Sequence, residues 1–436
     1  MPSQIRLQSD VIVVGTGPGG ATVARELSSA GKKVIMLERG GEYRGRFYYG
    51  TYLGALLYSE RMSLLFTQEG LNIIAPIMVG GATSMYCGYA APPPPWLKKK
   101  YKIDIDREVS ESIEELGIAP LPAELRGKAS TRIAEAAGSL GQEWFPQPKF
   151  MSPARAKKFN CTAACMLGCR CGAKWNAGEW VDTAVDRGAQ LYTGARVEKV
   201  ITSGGAAAGV EGKLGGKPFV AEAGTVILAA GGIGTPRILQ KSGFKDAGTG
   251  MAMDVTVMVY GFIKGKGTGK EPPMTWSWEN DEDGYMLSTL IDPWLLYPLA
   301  AVRVGLGPAA RWLRWGNILG VMIKLKDDIS GGVFPDRISK PLTPGDTVRL
   351  AKARETCERI LAAAGADKSS IFMRPLIGTH PSGTVRIGEM LDTNLATEVK
   401  GLYVCDASTF PESLDRPTVL TIIGMGKRLA KHLMKK

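Results

Sequence analysis

The hydrophobic pattern near the N-terminus predicts a strand, a tight turn, a helix and a second strand. Val11 to Val14 form a short β-branched run, residues 21–30 have helical apolar spacing that Gly31 ends, and Val34 to Leu37 form a second apolar run. Strand, helix and strand in this order are typical of a βαβ unit with parallel strands. The pattern therefore predicts an α/β domain in which these two strands are neighbours.

Three later stretches have the same buried character. Thr225 to Ala229 and Leu402 to Cys405 are strand-like, and Thr418 to Leu433 has helical apolar spacing. We expect these stretches to complete the first domain. Residues 95–150 and 246–372 have a mixed pattern next to a run of four prolines, so they are predicted to form a second, substrate-facing domain inserted into the first.

The turn after the first strand carries an informative motif. Gly15, Gly17 and Gly20 match G-x-G-x-x-G between a predicted strand and a predicted helix, and Glu38 ends the next strand. The first glycine permits the turn, the second admits a pyrophosphate, and the third lets helix and strand pack closely. The acid Glu38 can accept hydrogen bonds from ribose hydroxyls and would repel a 2′-phosphate. The motif predicts FAD or NAD rather than NADP, with a glycine-rich turn that binds no ligand as the alternative.

Composition narrows the class of protein. The chain has 436 residues, with 54 Lys and Arg against 42 Asp and Glu, a formal charge of +12. Its 44% hydrophobic content excludes a disordered chain, and its length predicts about two to three core-sized units. The basic residues are dispersed and no nucleic-acid motif is present, so we expect no nucleic-acid partner. We see no secretory signal and no apolar run of ~18 residues, so a cytoplasmic location is expected.

Four stretches resemble the glucose-methanol-choline (GMC) family of FAD-dependent oxidoreductases. They are the N-terminal βαβ unit, residues 79–84 (VGGATS), residues 234–243 (GTPRILQKSG) and the chain from Gly378 onward. The chain departs from the family at Gly232, where Ser, Thr, Ala or Pro is usual. The resemblance covers about half of the chain. It implies an α/β protein in which a Rossmann-like FAD-binding domain carries an inserted antiparallel-sheet substrate domain.

The resemblance also implies a division of the chain and a set of cofactor contacts. The FAD-binding domain is expected to comprise residues 1–94, 151–245 and 373–436, and the substrate domain residues 95–150 and 246–372. Besides the glycine motif and Glu38, the residues implied to contact FAD are Gly80, Gly81, Ser84, Val197, Ala230, Asp406, Ala407 and Thr418. The backbone of Val197, after a strand predicted from Leu191 to Ala195, is expected to meet the adenine.

The chain contains two histidines, His380 and His432. His380 lies in residues 378–384 (GTHPSGT), which resemble the family's catalytic H-x-x-G-T segment. A neutral imidazole is suited to accept the hydroxyl proton of an alcohol as a hydride leaves for flavin N5. We therefore predict that His380 is the catalytic base, with a histidine that only caps a loop as the alternative. His432, in a basic terminal helix, is expected to face solvent.

The sequence departs from the family again at the second catalytic position. Most members have His or Asn there, whereas residues 415–421 place Arg416 or Pro417 at this point. Proline makes no side-chain hydrogen bond, and arginine donates but is not a base at neutral pH. His380 is therefore expected to act alone, or with Arg416 stabilising an alkoxide. The N-terminus of the last helix is predicted to lie nearby and to favour an anionic reduced flavin.

Four of the seven cysteines fall within eleven residues, as Cys161, Cys165, Cys169 and Cys171. Their spacing lacks the paired C-x2-C elements typical of zinc and differs from that of bacterial ferredoxins. It resembles the cysteine segment of FAD-dependent glucose and fructose dehydrogenase catalytic subunits, which implies an iron–sulfur cluster of the 3Fe–4S or 4Fe–4S type. A loop with a disulfide or with thiols is the alternative. A cluster would carry electrons outward singly, as in a dehydrogenase.

Residues 294–315 combine three tryptophans, one tyrosine and three arginines with leucine and valine. Such a segment is typical of a membrane interface, and it also suits a hydrophobic substrate entrance. A buried helical hairpin, broken by Pro298 and Pro308, is the third interpretation. The first interpretation predicts a peripheral membrane contact.

The leading functional hypothesis is an FAD-dependent dehydrogenase that oxidises a small-molecule alcohol, of apolar character, with His380 as the base. Electrons would leave through the cysteine cluster, or directly to a quinone or an acceptor protein. A second hypothesis keeps the flavin but replaces alcohol oxidation by C–C dehydrogenation or double-bond reduction, because the usual second His or Asn is missing. A third is a non-catalytic electron-transfer subunit that contains flavin and cluster.

Overall fold

The computed structural model describes residues 4–160 and 162–435. Within them the α-helices are α1 (Pro18–Ser29), α2 (Tyr52–Leu57), α3 (Pro95–Tyr101), α4 (Asp106–Leu116), α5 (Lys128–Gly138), α6 (Pro153–Ala156), α7 (Gly178–Asp186), α8 (Gly231–Lys241), α9 (Leu296–Ala301), α10 (Leu306–Ala310), α11 (Pro344–Ala363) and α12 (Val419–Met434). The strands are β1 (Ile5–Gln8), β2 (Val11–Val14), β3 (Val34–Glu38), β4 (Leu65–Phe66), β5 (Asn72–Ile73), β6 (Ala119–Pro120), β7 (Phe145–Pro146), β8 (Pro148–Lys149), β9 (Gln190–Thr193), β10 (Ala195–Ser203), β11 (Ala206–Leu214), β12 (Lys217–Glu222), β13 (Thr225–Leu228), β14 (Thr249–Met251), β15 (Thr256–Phe262), β16 (Trp276–Asn280), β17 (Tyr285–Thr289), β18 (Ile318–Leu325), β19 (Ser330–Val333), β20 (Ile338–Ser339), β21 (Phe372–Met373), β22 (Ile377–Gly378) and β23 (Leu402–Val404).

A parallel sheet in the order β23-β13-β2-β3-β9 forms the centre of one layer. Strands β2 and β3 are buried along their whole length, as expected for parallel strands that are covered on both faces. Helix α1 connects them and packs against α7 and α12. The predicted βαβ unit is confirmed, and so is the completion of its sheet by the strands that begin at Thr225 and Leu402.

A second, mostly antiparallel sheet forms the other large layer. In the described residues its path is β4-β5-β22-β15-β18-β17-β16-β7, with β21 paired to β15. Alternate residues of β15 face opposite sides. Val257 and Val259 join a core with α5 and α11, whereas Met258 and Tyr260 join a separate cluster on the other face. The predicted α/β class with an inserted antiparallel sheet is confirmed.

Two pieces of the chain lie in a different layer from the rest of the predicted domain segment to which they belong. Strands β4 and β5 fall within residues 1–94, which were expected to bind FAD, yet they pair into the antiparallel sheet, where β5 lies next to β22. Helix α4 falls within residues 95–150, which were expected to face the substrate. It packs against α12 instead, and its Val109 belongs to the core of the parallel-sheet layer. The mixed hydrophobic pattern of residues 95–150 gave no signal that α4 would lie in the parallel-sheet layer.

A smaller sheet has the order β1-β12-β11-β10. The single strand predicted from Leu191 to Ala195 is wrong, because Gly194, with φ +68°, separates β9 from β10 there. Strand β9 belongs to the parallel sheet, and β10 carries Val197 into the smaller sheet opposite Gly212. The described residues also form two short sheets, β14-β19-β20 and β6-β8. None of the described helices combines the length and the apolar character needed to span a bilayer.

Candidate active site

The glycine turn at the end of β2 has the geometry that a pyrophosphate requires. Gly15 has φ +99°, and a Cβ there would lie 2.3 Å from the carbonyl oxygen of Ala229. A Cβ at Gly20 would lie 2.0 Å from the Gly15 carbonyl oxygen, so helix and strand pack closely at this point. A Cβ at Gly17, by contrast, would meet no atom of the described residues within 4 Å. This open space at the N-terminus of α1 fits a phosphate group of FAD.

Glu38 closes the same site at the end of β3. Its carboxylate accepts hydrogen bonds from the backbone nitrogen and the hydroxyl of Thr16, at 3.1 and 2.7 Å, and from the backbone nitrogen of Gly40 at 2.8 Å. A carboxylate has about four acceptor positions, so capacity is left for a ribose hydroxyl. A cavity of about 420 Å³ opens next to Gly40 and is lined on another side by Thr193, at the end of β9. These features fit the adenosine half of FAD.

The segment from Gly80 to Ser84 lies against the glycine turn. It forms a 3-10 helix over Gly81–Ser84, and Gly80, which precedes it, has φ +91°. A Cβ at Gly81 would lie 2.9 Å from the Cα atom of Gly17. The hydroxyl of Ser84 donates to the carbonyl oxygen of Val79 at 3.3 Å. The predicted cofactor residues of this segment are therefore next to the space where the phosphates fit.

Asp406 ties the end of β23 to the start of α8. Its carboxylate accepts hydrogen bonds from the backbone nitrogen of Gly231 at 2.8 Å and from the hydroxyl of Thr235 at 2.5 Å. The backbone nitrogen of Ala230 donates to the same hydroxyl at 3.1 Å. Burial raises the pKa of Asp406. The turn at Ala230 and the segment Asp406–Ala407 are thus joined at the carboxyl ends of neighbouring parallel strands, where open α/β sheets bind ligands.

The departure from the family at Gly232 has a steric cause. A Cβ there would lie 1.9 Å from the carbonyl oxygen of Pro381 and 3.0 Å from the backbone nitrogen of Ser382. Glycine lets α8 approach this loop closely. The carbonyl oxygen of Gly232 also accepts a hydrogen bond from the hydroxyl of Thr384 at 2.9 Å. Gly232 therefore joins the segment that carries His380 to the nucleotide-binding turn.

His380 lies in the loop after β22, and an aspartate holds its imidazole. Its Nδ1 is 2.7 Å from Oδ2 of Asp254, a residue of the loop before β15. The backbone nitrogen of His380 donates to the carbonyl oxygen of Met253 at 3.0 Å. The carboxylate contact places the imidazole proton on Nδ1 and leaves a lone pair on Nε2, for which the described residues provide no hydrogen-bond partner. The side chain is 26% exposed, so a substrate can reach it.

Asp254 is itself held in an unusual conformation. It is buried and has φ +45°, in the left-handed region that residues other than glycine seldom adopt. Its second carboxylate oxygen accepts a hydrogen bond from the hydroxyl of Ser413 at 2.7 Å. Burial raises the pKa of Asp254, but the hydrogen bond with His380 and the charge of Lys324 outweigh burial and bring that pKa below its ordinary value. The carboxylate beside the imidazole of His380 is therefore ionised.

Lys324, on β18, completes the surroundings of the imidazole. Its Nζ donates to the hydroxyls of Thr379 at 2.7 Å and of Thr256 at 3.0 Å, and lies 3.5 Å from Nδ1 of His380. Burial and the charge of Lys324 lower the pKa of His380, although Asp254 opposes them. The imidazole is thus kept neutral, which is the form that accepts a proton.

A second buried ion pair supports this arrangement. Nζ of Lys340 is 2.8 Å from Oδ2 of Asp327, and neither side chain is exposed to solvent. Asp327 also accepts hydrogen bonds from the backbone nitrogen of Met253 at 2.9 Å and from the hydroxyl of Ser413 at 3.2 Å. Met253 directly precedes Asp254, and the hydroxyl of Ser413 also donates to Asp254. The buried pair therefore helps to fix the position of the aspartate that contacts the imidazole of His380.

Arg416, the second predicted catalytic residue, is buried among carboxylates. Its guanidinium contacts Asp415 at 2.7 Å, Glu279 at 3.1 Å and Asp281 at 3.2 Å. Three carboxylates compensate its charge and engage its donor nitrogens. A role for Arg416 towards an alkoxide stays a prediction, and so does the choice between Arg416 and Pro417 for the second position.

Helix α12 runs over Val419–Met434, which confirms the helix predicted from Thr418 to Leu433, and Thr418 directly precedes its first turn. Its first turn is buried, and the backbone N–H groups of a first turn have no partners within the helix and favour negative charge. A Cβ at Gly426 would lie 3.0 Å from the side chain of Thr22, so α12 packs closely on α1. At the other end, His432 is half-buried, with its ring 6.5 Å from that of Tyr403, which corrects the expectation that it faces solvent.

Three of the four cysteines that were predicted to bind a metal lie in the described residues. Cys161 lies outside the described residues. Cys165 is buried, whereas Cys169 and Cys171 are partly buried with their Sγ atoms 3.8 Å apart. The backbone nitrogen of Lys174 donates to Sγ of Cys169 at 3.2 Å, and burial raises the pKa of that thiol. In residues 4–160 and 162–435, no group of three or more His, Cys, Asp or Glu is arranged to hold a metal ion.

These observations define a class of protein. The open glycine turn and Glu38 form a site for a dinucleotide, and a neutral histidine lies in the loop that connects the antiparallel sheet to that site. A site for a hydride-accepting dinucleotide, FAD or NAD, together with a candidate proton acceptor is typical of an oxidoreductase.

Comparison with known proteins gives the family. Family models described as GMC oxidoreductase match residues 96–256 and 337–426, and a model described as FAD binding domain matches residues 8–47. The two GMC matches together cover more than half of the chain. The chain belongs to the GMC oxidoreductase family and is an FAD-dependent oxidoreductase. Membership of the glucose and fructose dehydrogenase branch, expected from the cysteine spacing, stays a prediction.

Several relatives align over nearly the whole chain. A long-chain-alcohol oxidase of Arabidopsis thaliana is 25% identical over 96% of this chain and 66% of its own length. A GMC-type oxidoreductase of Mycobacterium tuberculosis is 25% identical over 98% of this chain and 76% of its own. A protein of Methanocaldococcus jannaschii is 27% identical over 98% of this chain and 100% of its own. The crystal structure of pyridoxine 4-oxidase from Mesorbium loti has a TM-score of 0.69, with 15% identity over 98% of this chain and 99% of that one, and supports the fold.

The sequence pattern indicates His380 as a candidate base but gives no indication of the residues that surround it. Asp254 and Lys324 lie in the middle of the chain, where nothing resembled a known pattern. Each is a polar residue at or near one end of a strand of otherwise apolar residues, Asp254 before β15 and Lys324 near the end of β18. That position was the available signal. Sequence reasoning could not show that the two strands are neighbours and bring both residues to the same histidine.

Proposed function

We propose that this flavoprotein oxidises the CH–OH group of an alcohol, with Nε2 of His380 as the proton acceptor. The observation that carries the proposal is the 2.7 Å contact between Nδ1 of His380 and Asp254, which orients the ring and leaves the lone pair on Nε2. FAD, when bound, supplies the acceptor for the hydride. The hydroxyl proton goes to Nε2, the C–H hydrogen leaves with two electrons, and the product is a carbonyl compound.

The buried charges around His380 support both taking up and releasing this proton. Before reaction, burial and Lys324 hold the pKa of His380 below its ordinary value, so the ring is neutral. After the proton arrives, the imidazolium forms an ion pair with the Asp254 carboxylate, which stabilises it. The ammonium of Lys324 opposes this charge and favours release of the proton before the next turnover.

The substrate class we propose is an alcohol with an apolar body. The sheet face that carries Lys324 and Thr256 continues along the same two strands as Met322, Met258 and Tyr260, which are buried in an apolar cluster next to the His380 site. At about 3.3 Å per residue, the distance from Thr256 to Tyr260 provides roughly 13 Å of this face. Methionine side chains adapt readily to apolar groups of different shape. The name of the Arabidopsis relative, a long-chain-alcohol oxidase, agrees with such a substrate.

Anaerobic reduction of the holoprotein tests the proposal. Ethanol, octanol, dodecanol, cyclohexanol and pyridoxine would be mixed with the purified flavoprotein, and loss of the oxidised flavin absorbance would be followed. We expect reduction by the alcohols, with a second-order rate constant that rises with chain length. No reduction by any alcohol, together with reoxidation of the chemically reduced flavin by an enone, would instead support double-bond reduction. Absence of both reactions would support an electron-transfer subunit.

A separate hypothesis concerns the electron acceptor. Ligation of an iron–sulfur cluster by Cys161, Cys165, Cys169 and Cys171 is supported by the resemblance of their spacing to the cysteine segment of FAD-dependent glucose and fructose dehydrogenases. The Sγ atoms of Cys169 and Cys171 also approach each other to 3.8 Å. Anaerobically purified protein with about three or four iron atoms and matching sulfide would support a dehydrogenase with an internal electron carrier. Iron-free protein would show that these cysteines belong to a loop with thiols and bind no cluster. It would leave the proposal of alcohol oxidation unchanged.

A further inference from the structure

Most of the exposed large apolar side chains lie in two segments. Of nineteen such side chains in the described residues, seven lie between residues 47 and 66 and seven between residues 294 and 313. Phe47, Leu306 and Leu313 are 85%, 80% and 86% exposed. Single exposed apolar residues are normal on a protein surface, but a concentration of this kind marks an interaction site.

The two segments adjoin each other. The hydroxyl of Tyr52, on α2, accepts a hydrogen bond from the backbone nitrogen of Leu295 at 3.2 Å. Leu296 packs against the tyrosine cluster beneath α2. The rings of Trp294 and Trp312 are 4.7 Å apart and hold the two ends of the second segment together. We refer to residues 47–66 and 294–314 together as the apolar face.

The unpaired charges of the apolar face are positive. Residues 293–317 contain three arginines and neither Asp nor Glu, and Arg303 and Arg314 are exposed. The single acid of residues 47–66, Glu60, is paired with Arg39 at 2.6 Å, whereas Arg61 is exposed. Arginines around exposed leucine and tryptophan match anionic headgroups above an apolar layer. A second copy of the chain would cover the leucines but would set arginine against arginine.

We propose that the apolar face docks on the surface of an anionic lipid bilayer, with the leucines at the acyl boundary and the arginines among the headgroups. The inference goes beyond alcohol oxidation and does not depend on it. Helices α9 and α10 are short and contain Pro298 and Pro308, so the face lies along the bilayer surface. On its inner side, Tyr297 belongs to the same apolar cluster as Met258. Under the proposed function, the bilayer would therefore adjoin the sheet face of Met258 along which we place the apolar body of the substrate.

Vesicle flotation of the holoprotein tests the docking. The vesicles would contain phosphatidylcholine alone or phosphatidylcholine mixed with phosphatidylglycerol. One variant would combine Leu299→Glu, Leu306→Glu and Leu313→Glu, and a second would combine Leu53→Glu and Leu57→Glu. Val348→Glu is the matched control, because Val348 is exposed on α11 outside the apolar face. We expect the wild type to bind the anionic vesicles, each leucine variant to bind at least about 10-fold more weakly, and the control to bind normally.

The arginines provide an independent arm. Arg303→Gln combined with Arg314→Gln should weaken binding to anionic vesicles roughly 10- to 30-fold and change binding to neutral vesicles little. If a leucine variant loses its FAD or its thermal transition, the vesicle binding of the arginine variant decides the test. Wild-type protein that binds neither vesicle, or leucine and arginine variants that bind like the wild type, would overturn the proposal. A dimer that the leucine variants dissociate, without any vesicle binding, would make the face an interface between copies.

Discussion

Replacing Asp254 by asparagine is the sharpest perturbation of the proposed base. The carboxylate is 2.7 Å from Nδ1 of His380 and its side chain is 1% exposed, so water does not screen the contact. Asparagine keeps the shape but removes the charge that the imidazolium needs when the proton arrives. A hydrogen bond to a charged group contributes about 1.5–3 kcal/mol, which corresponds to flavin reduction about 10- to 150-fold slower at the pH plateau.

The same substitution has a defined effect on pH dependence. The Asp254 carboxylate raises the pKa of His380, against burial and Lys324, which together bring it below its ordinary value of 6.5. Removal of the carboxylate therefore moves this pKa further down. Because the neutral imidazole is the active form, the rate rises with pH through this pKa. The Asp254→Asn variant should show a lower plateau and a midpoint at lower pH than the wild type.

The assay is anaerobic stopped-flow reduction of the flavin across a pH series. Ser413→Ala is the control, because it removes a 2.7 Å hydrogen bond to the other carboxylate oxygen without any change of charge. It should slow reduction by less than about 10-fold and leave the midpoint in place. FAD content and thermal transition verify that both variants fold. A plateau within a few-fold of wild type, or an unshifted midpoint, would refute the role assigned to Asp254.

Three further predictions follow from the same geometry. His380→Gln should retain FAD yet slow its reduction by alcohol about 10²-fold or more in the stopped-flow assay, and a rate within a few-fold of wild type would remove His380 from the mechanism. Gly17→Val should yield folded protein without FAD, measured as flavin absorbance per protein, because its Cβ meets open space where the pyrophosphate fits; Gly224→Val, equally unobstructed, should retain FAD. Lys340→Ala should lower the free energy of unfolding in urea by about 3–5 kcal/mol, since Asp327 loses its buried partner, and a loss below about 1 kcal/mol would contradict this reasoning.

The parallel-sheet domain could be predicted from the sequence because its information is local. The strand from Val11, the turn at Gly15 and the helix that follows are adjacent in the chain, and each has its own pattern of apolar residues or glycines. The same holds for His380, which stands within a short motif. The structure adds the reason for Gly232, whose missing Cβ makes room for the carbonyl oxygen of Pro381.

The partners of the base could not be predicted, because their proximity is a property of the sheet. Asp254 and Lys324 are seventy positions apart and meet because β15 and β18 pair with Thr256 opposite Lys324. A one-residue shift of that register would turn Lys324 to the other face of the sheet. One segment of the apolar face could be predicted from the sequence and the other could not. Residues 294–315 stood out by composition, whereas residues 47–66 became part of the same surface once Tyr52 was seen to contact Leu295.

Anaerobic titration of the FAD-loaded protein with dodecanol tests whether this flavoprotein oxidises alcohols. We expect the oxidised flavin spectrum to bleach to that of the two-electron reduced form, and one equivalent of the aldehyde to appear per flavin. With His380→Gln, the same end point should be reached about 10²-fold more slowly or not at all. A flavin that stays oxidised with dodecanol and with every shorter alcohol, in protein that retains FAD and its thermal transition, would contradict the assignment of alcohol oxidation to this site.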